Sequence, residues 1–134
     1  MTAGGATART AATKSLPRPA SGPRAIVPDA HDNLWFVLAE GNAIGRLSPG
    51  GLISEFHLPR PGASPRGIVV AAGGEIWFTQ NQANMLGRMS PNGGLVAEYD
   101  IPTKASGPRA LLAPTGNNLF FGQHDVSQIC EASI

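Results

Sequence analysis

Charge is scarce in this sequence: Asp, Glu, Lys and Arg make up 14% of 134 residues, and the 10 Lys and Arg nearly balance the 9 Asp and Glu. A net charge of +1 spread along the chain builds no continuous basic face, which excludes nucleic acid and an anionic membrane surface as partners. Cysteine is scarcer still. The lone Cys130 can close no internal disulfide and lacks the Cys/His spacing of a zinc site, so it reads as a small apolar residue of the interior. No apolar stretch approaches the roughly 18 residues of a membrane span. The opening MTAGGATARTAATKS has Arg9 and Lys14 but no apolar centre of the kind a secretory signal needs. It reads as a flexible Ala/Thr-rich arm over residues 1–15, and the expected location is the cytoplasm.

What the chain has in abundance is turn chemistry. Its 17 Gly and 12 Pro punctuate short apolar runs, a composition of β structure and not of long helices. The stretch GPRAIVPDAHDNLWFVLAEGNAIGRLSP at 22–49 recurs as SPRGIVVAAGGEIWFTQNQANMLGRMSP at 64–91, and a shorter copy begins GPRALLAPTGNNLFFGQ at 107. Pro23, Pro65 and Pro108 are spaced by 42 and 43 residues, as are Trp35, Trp77 and Phe120, and the prolines Pro17, Pro59 and Pro102. The extra residue is visible: PGGL at 49–52 becomes PNGGL at 91–95, an insertion inside a turn.

Each full copy divides into four β-like runs. In the first, AIV (25–27) follows a Gly-Pro entry, LWFVL (34–38) is apolar on both faces as a strand between packed neighbours should be, AIGRLS (43–48) follows, and LISEFHL (52–58) has the polar content of an outer strand. Four strands in 40 to 45 residues is the period of a β-propeller blade, whereas helical or leucine-rich repeats need a periodicity that is absent here. The expected fold is therefore all-β, with propeller-type blades of four antiparallel strands. There are about two and a half of them: blade 1 over 16–57, blade 2 over 58–100 and an incomplete blade 3 over 101–134. A partial propeller leaves apolar faces bare, so self-association or further blades are needed to close a ring. TKSLPRP at 13–19 echoes EYDIPTK at 98–104, which makes the arm a candidate outer strand for blade 3.

The recurring text GPRAIV…NLWF…NAIGRLSPGG…EFHLPRP and SPRGIV…EIWF…NMLGRMSPNGG…EYDIPTK resembles the blades of the virginiamycin B lyase (streptogramin lyase) family, over about residues 16–123. The resemblance implies a seven-bladed, magnesium-dependent enzyme. It would open the ring of type B streptogramins, which are depsipeptides, by eliminating the ester C–O bond without water. It also implies histidines in the slot after the blade proline, at the mouth of the central channel, and a carboxylate shortly after the tryptophan strand to help hold Mg2+.

Those slots here hold Arg24, Arg66 and Arg109, and an arginine, protonated at neutral pH, makes no base. After the tryptophan strand come Leu38 with Glu40, Gln80 and Gln123, which leaves Glu40 as the candidate metal carboxylate. Three histidines remain: His31 in a turn, His57 on an outer strand, and His124 beside Asp125. Adjacent residues on an extended strand face opposite ways, so His124 is expected to stand apart from Asp125, at the surface; it is nonetheless the candidate catalytic histidine. The arginine triplet is the candidate ligand-binding set. Three guanidinium groups at equivalent blade positions would ring one opening and fork onto carboxylate, phosphate or carbonyl oxygens, unless each pairs with an acid of its own blade. Arg46 and Arg88 of the GR motif are expected to link neighbouring blades. The aromatic pairs Trp35-Phe36 and Trp77-Phe78 are expected in the core between blades. Three readings stand side by side: a partial chain of a lyase-type enzyme, lacking the catalytic histidines, which further blades would carry; a non-catalytic module for a small anionic or peptide-like ligand; and an oligomerising interaction repeat.

Overall fold

The turns that break the repeat also set the strand ends. Pro23–Pro28 (β1), Leu34–Leu38 (β2), Ala43–Leu47 (β3) and Ile53–His57 (β4) pair antiparallel in that order, as do Pro65–Val70 (β5), Ile76–Gln80 (β6), Met85–Met89 (β7) and Leu95–Asp100 (β8). The third copy gives Pro108–Leu112 (β9), Asn118–Gln123 (β10), a 3-10 turn at His124–Val126 and Gln128–Ser133 (β11), forming a three-stranded sheet. The structure is a computed structural model and describes residues 14–18, 20–113 and 118–134. Most of the expected arm over 1–15 lies outside the described residues. No helix among them is long and apolar enough to cross a membrane.

The three sheets are stacked side by side through apolar faces. Trp35, Val37 and Ile44 of blade 1 meet Leu58, Ile68, Ile76, Phe78 and Met89 in one buried cluster, while Trp77 and Leu86 of blade 2 meet Ile101, Leu119 and Phe121 in a second. Trp35 and Phe78 are fully buried, and each such side chain contributes on the order of 2 kcal/mol. The first strands of the sheets, β1, β5 and β9, lie against one another in turn. They form the inner edge of the arc.

Motif letters acquire reasons at this level. Gly45 and Gly87 stand opposite Phe36 and Phe78 in the ladder, and a Cβ on either glycine would collide with the ring of that phenylalanine. The asparagine three residues before each motif glycine-arginine pair reaches the left-handed region (φ +53° at Asn42, +58° at Asn84), which asparagine tolerates. From there Asn42 donates Nδ2 to the carbonyl of Arg60 (2.7 Å) and accepts the Ala63 N–H (2.9 Å). Asn84 repeats this with Thr103 (2.9 Å) and Ser106 (3.0 Å). Each asparagine pins the connection that leads into the next blade. Arg46 stacks over Trp35 and Phe56 and donates to the carbonyl of Pro91 (3.2 Å) in the following blade. Arg88 stacks over Trp77 but meets Glu75 of its own blade (3.5 Å), so of the two expected links only the first crosses between blades.

Two further expectations are corrected. Residues 14–18 add no strand to blade 3. Leu16 packs on Phe36, Leu38 and Ala43 of blade 1, Lys14 donates to the carbonyl of Gly51 (3.3 Å), and Arg18 pairs with Glu55 (2.9 Å). The reason lies in the repeat itself: Leu16-Pro17 precedes blade 1 as Leu58-Pro59 precedes blade 2, and Leu58 is likewise buried against the sheet that follows it. The pair Arg60–Glu98 (3.0 Å) repeats Arg18–Glu55 one blade on. Cys130 is half-buried rather than interior: it stands on the edge strand β11 opposite Phe121 and packs only against the margin of the second cluster.

Candidate ligand-binding site

Each inner strand breaks its register at the same point. Pro23 faces Leu38 and Ile26 faces Phe36, so Arg24 and Ala25 together oppose Val37. Arg66 and Gly67 oppose Thr79 in the same way, and Arg109 and Ala110 oppose Gly122. All three arginines of the triplet therefore sit in β-bulges. A bulge bends its strand and re-aims a side chain, and bulges cluster beside functional sites. Strand alternation alone could not have given their direction.

The structure brings the triplet together. The Arg66 guanidinium is pulled below the usual arginine range first by its partial burial and then by repulsion from Arg24 and Arg109. Its Nε donates to Ser64 Oγ (3.3 Å). Arg24 donates to Glu40 Oε2 (3.1 Å), and this bond holds the Glu40 carboxyl below the usual carboxylate range, with the charges of Arg24 and Arg66 adding to the effect. Arg24 thus has an acid of its own blade as partner. Among the described residues Arg66 and Arg109 have none.

Side chains that sequence reasoning missed hold this arrangement in place. Thr79, fully buried at the end of β6, accepts the Gly67 N–H (2.8 Å) and donates to the carbonyl of Arg109 (2.7 Å). Asn81 donates Nδ2 to the carbonyl of Pro108 (3.1 Å). Two bulges are tied together in this way, and blade 1 has Val37 and Ala39 where these polar residues stand. A polar residue in an otherwise apolar strand was the available signal.

His124 is exposed, as expected, but it does not stand apart from Asp125. The two lie in the 3-10 turn and not on a strand, and His124 Nδ1 is 3.0 Å from Asp125 Oδ1. Their main chains are fixed by N–H bonds to the carbonyls of Gly107 and Ser106. Asp125 is the blade 3 counterpart of Glu40, each five residues after the aromatic of its strand, with Gln82 in blade 2. Counting on from Trp35, Trp77 and Phe120 would have found it. A Cβ on Gly22 would meet the carboxylate of Glu40, and one on Gly107 that of Asp125, both glycines having positive φ. Blade 2 has Ser64 there instead, at φ +57°. Arg109, Ala110, Gln123, His124 and Ile129 line one open hollow of about 380 Å3. A second hollow of the same size, between Trp77, Tyr99 and β11, lies on the outer side of the arc. His31 and His57 are exposed and belong to neither.

The described residues offer magnesium no cluster of ligands. No three of His, Cys, Asp and Glu gather to hold a metal among the described residues, and Glu40 is committed to Arg24. The described residues do not fit the ion.

Blade-like sheets stacked about an inner edge, with cationic bulges along that edge, define an arc of a β-propeller. The chain belongs to the virginiamycin B lyase family, whose model matches residues 3–134. It is similar to a catalytically inactive histidine-to-alanine variant of virginiamycin B lyase from Staphylococcus aureus with quinupristin (30% identity, TM-score 0.79) and to a streptogramin B lyase (33%, TM-score 0.78), covering 89% of this chain in both cases. The chain spans 43% of the length of each of those structures. A virginiamycin B lyase of Bordetella parapertussis is 72% identical over 25 residues, 19% of this chain and 8% of that protein.

Proposed function

We propose that these blades are the ligand-recognition part of a streptogramin B lyase-type propeller, and that the three bulge arginines receive the carboxylate that ring opening releases. Eliminating an ester removes the proton alpha to a carbonyl, forms a C=C bond and breaks C–O, so the electron pair leaves on a carboxylate. Arginine fits that group as a two-pronged donor and does not fit the base. The observation that carries the reading is the placement of Arg24, Arg66 and Arg109 in matching bulges of the adjoining inner strands β1, β5 and β9, where burial and then repulsion from Arg24 and Arg109 disfavour the charge on Arg66. Among the described residues neither metal ligands nor a histidine at the proline slot accompany them. His124 is the one imidazole beside the mouth.

Calorimetric titration of the purified protein with a quinupristin-like depsipeptide and its ring-opened acid, run beside a turnover assay with Mg2+, tests this. Binding of the acid without turnover is expected, weakened at least tenfold when all three arginines are replaced by alanine. Unchanged binding by that variant overturns the reading. Turnover that disappears in His124→Ala would show that these blades also carry out the chemistry.

A second reading, that further copies of the chain dock on both sides of the arc, is favoured by Ile26 (57% exposed) on one face and Leu112 (61%) and Ile129 (80%) on the other. Its test is the mass in solution: a dimer or trimer supports closure between copies, and a monomer argues against it.

A further inference from the structure

The three arginines occupy equal positions but are not electrically equal. Each blade pairs a bulge arginine with the side chain five residues past its aromatic: Arg24 with Glu40, Arg66 with Gln82, Arg109 with Asp125. In blade 1 the acid takes the arginine directly, at 3.1 Å. In blade 3 the acid is bonded to His124 instead (3.0 Å), and Arg109 is exposed to solvent. In blade 2 that position holds no acid: Gln82 turns to Asn81 (3.2 Å). Arg66 is the half-buried member, flanked by both other cations, with Nε held by Ser64.

Resting on the reading of the mouth given above, we infer that Arg66 is the carboxylate anchor of the site, and that Gln82 selects it by withholding the acid that Glu40 supplies to Arg24. With Nε engaged on Ser64 Oγ, the remaining donors are the Nη1 and Nη2 pair, the end-on fork that matches the two oxygens of a carboxylate. A partly desolvated cation between two like charges gains more from a counter-anion than an exposed or already paired one does. The ligand class is a monocarboxylate joined to an apolar or peptide-like body, and the neutral amide of the same body is discriminated against. Blade 2 also resists acquiring the acid in the blade 1 arrangement. The Glu40 carboxylate lies where a Cβ on Gly22 would be, and Ser64 fills the corresponding place in blade 2.

The full chain is titrated with N-acetylphenylalanine and with its primary amide, by calorimetry and by amide chemical shifts. The parent is expected to bind the acid at least tenfold tighter than the amide. Arg66→Ala should remove that tenfold preference, Arg66→Lys should recover only part of it, and Arg24→Ala should cost about threefold. Rebuilding blade 2 as blade 1, with Ser64→Gly and Gln82→Glu together, should lose at least tenfold relative to Ser64→Gly alone. Glu40→Gln, which frees Arg24, should tighten binding severalfold. Equal losses from Arg24→Ala and Arg66→Ala, or full affinity in the rebuilt blade, overturn the inference while leaving the arginine mouth standing. Undiminished acid binding when all three arginines are alanine overturns the mouth itself. Chemical shifts of β6 that match the parent's certify the fold of each variant, and the Glu40→Gln gain keeps the test decisive should Arg66→Ala fail to fold.

Discussion

Thr79 holds the carbonyl of Arg109 at 2.7 Å with the same hydroxyl oxygen that accepts the Gly67 N–H at 2.8 Å, so one buried atom sets the spacing of two neighbouring bulges. Thr79→Val keeps the shape and removes both bonds. Leaving a buried donor and acceptor unpaired costs about 1–3 kcal/mol each before relaxation. The urea midpoint should fall with an unchanged slope, and carboxylate affinity should fall with it. A midpoint equal to the parent's would show that the hydroxyl does not couple the blades.

Asn84→Ala should loosen the joint between blades 2 and 3. It removes bonds to Thr103 and Ser106 and places alanine at φ +58°, a conformation that costs an ordinary residue about 1–2 kcal/mol. Hydrogen exchange should accelerate along β9 more than along β2, because the Asn42 pin is untouched. Uniform acceleration across all three sheets would contradict a local fastening.

Gly87→Ala tests the crowded cross-strand pair. The added methyl would strike the Phe78 ring, and overpacking of this kind costs about 1–3 kcal/mol. Gly50→Ala, whose new methyl would find nothing nearer than Ser48 Oγ at 3.9 Å, should shift the melting temperature little. Similar shifts for the two would remove the steric reason for the motif glycine.

Acid should weaken blade 1 through Asp29. Burial raises its pKa, but bonds from the Trp35 indole, Asn33 and the His31 main chain outweigh that and hold the carboxyl at about 2, against an ordinary 3.8. A depressed folded-state pKa stabilises the fold fully above the unfolded value, and that stability is lost as pH falls from 3.8 toward 2. Asp29→Asn should flatten stability against pH in that window. A transition as steep as the parent's would assign the acid sensitivity elsewhere.

The period and the four strands of each full copy could be read directly, because the Pro, Trp and GR landmarks recur at nearly constant spacing and each marks a strand end or a core position. The place of residues 14–18 could not be read from their likeness to 98–104. Similar text identifies a similar local conformation, but which sheet it covers depends on the apolar face left open, here that of Phe36 and Leu38. The arginine triplet was visible as letters, and repetition alone implied a shared opening. The bulge that carries each arginine was not visible, since it adds a residue and cancels the alternation on which a strand reading depends. The pairing of His124 with Asp125 was missed for a related reason: an extended backbone was assumed where a 3-10 turn forms.

Asn42 and Asn84 have a consequence for how such molecules vary. Because each asparagine clasps the connection just downstream of it, a duplicated stretch of about one repeat carries its own clasp to its new neighbour. Rings of different size can then arise by copying or deleting whole units, with no new joint to invent at the seam. Chemistry held in the bulges can drift blade by blade, as Glu40, Gln82 and Asp125 already do, without disturbing how the units are fastened.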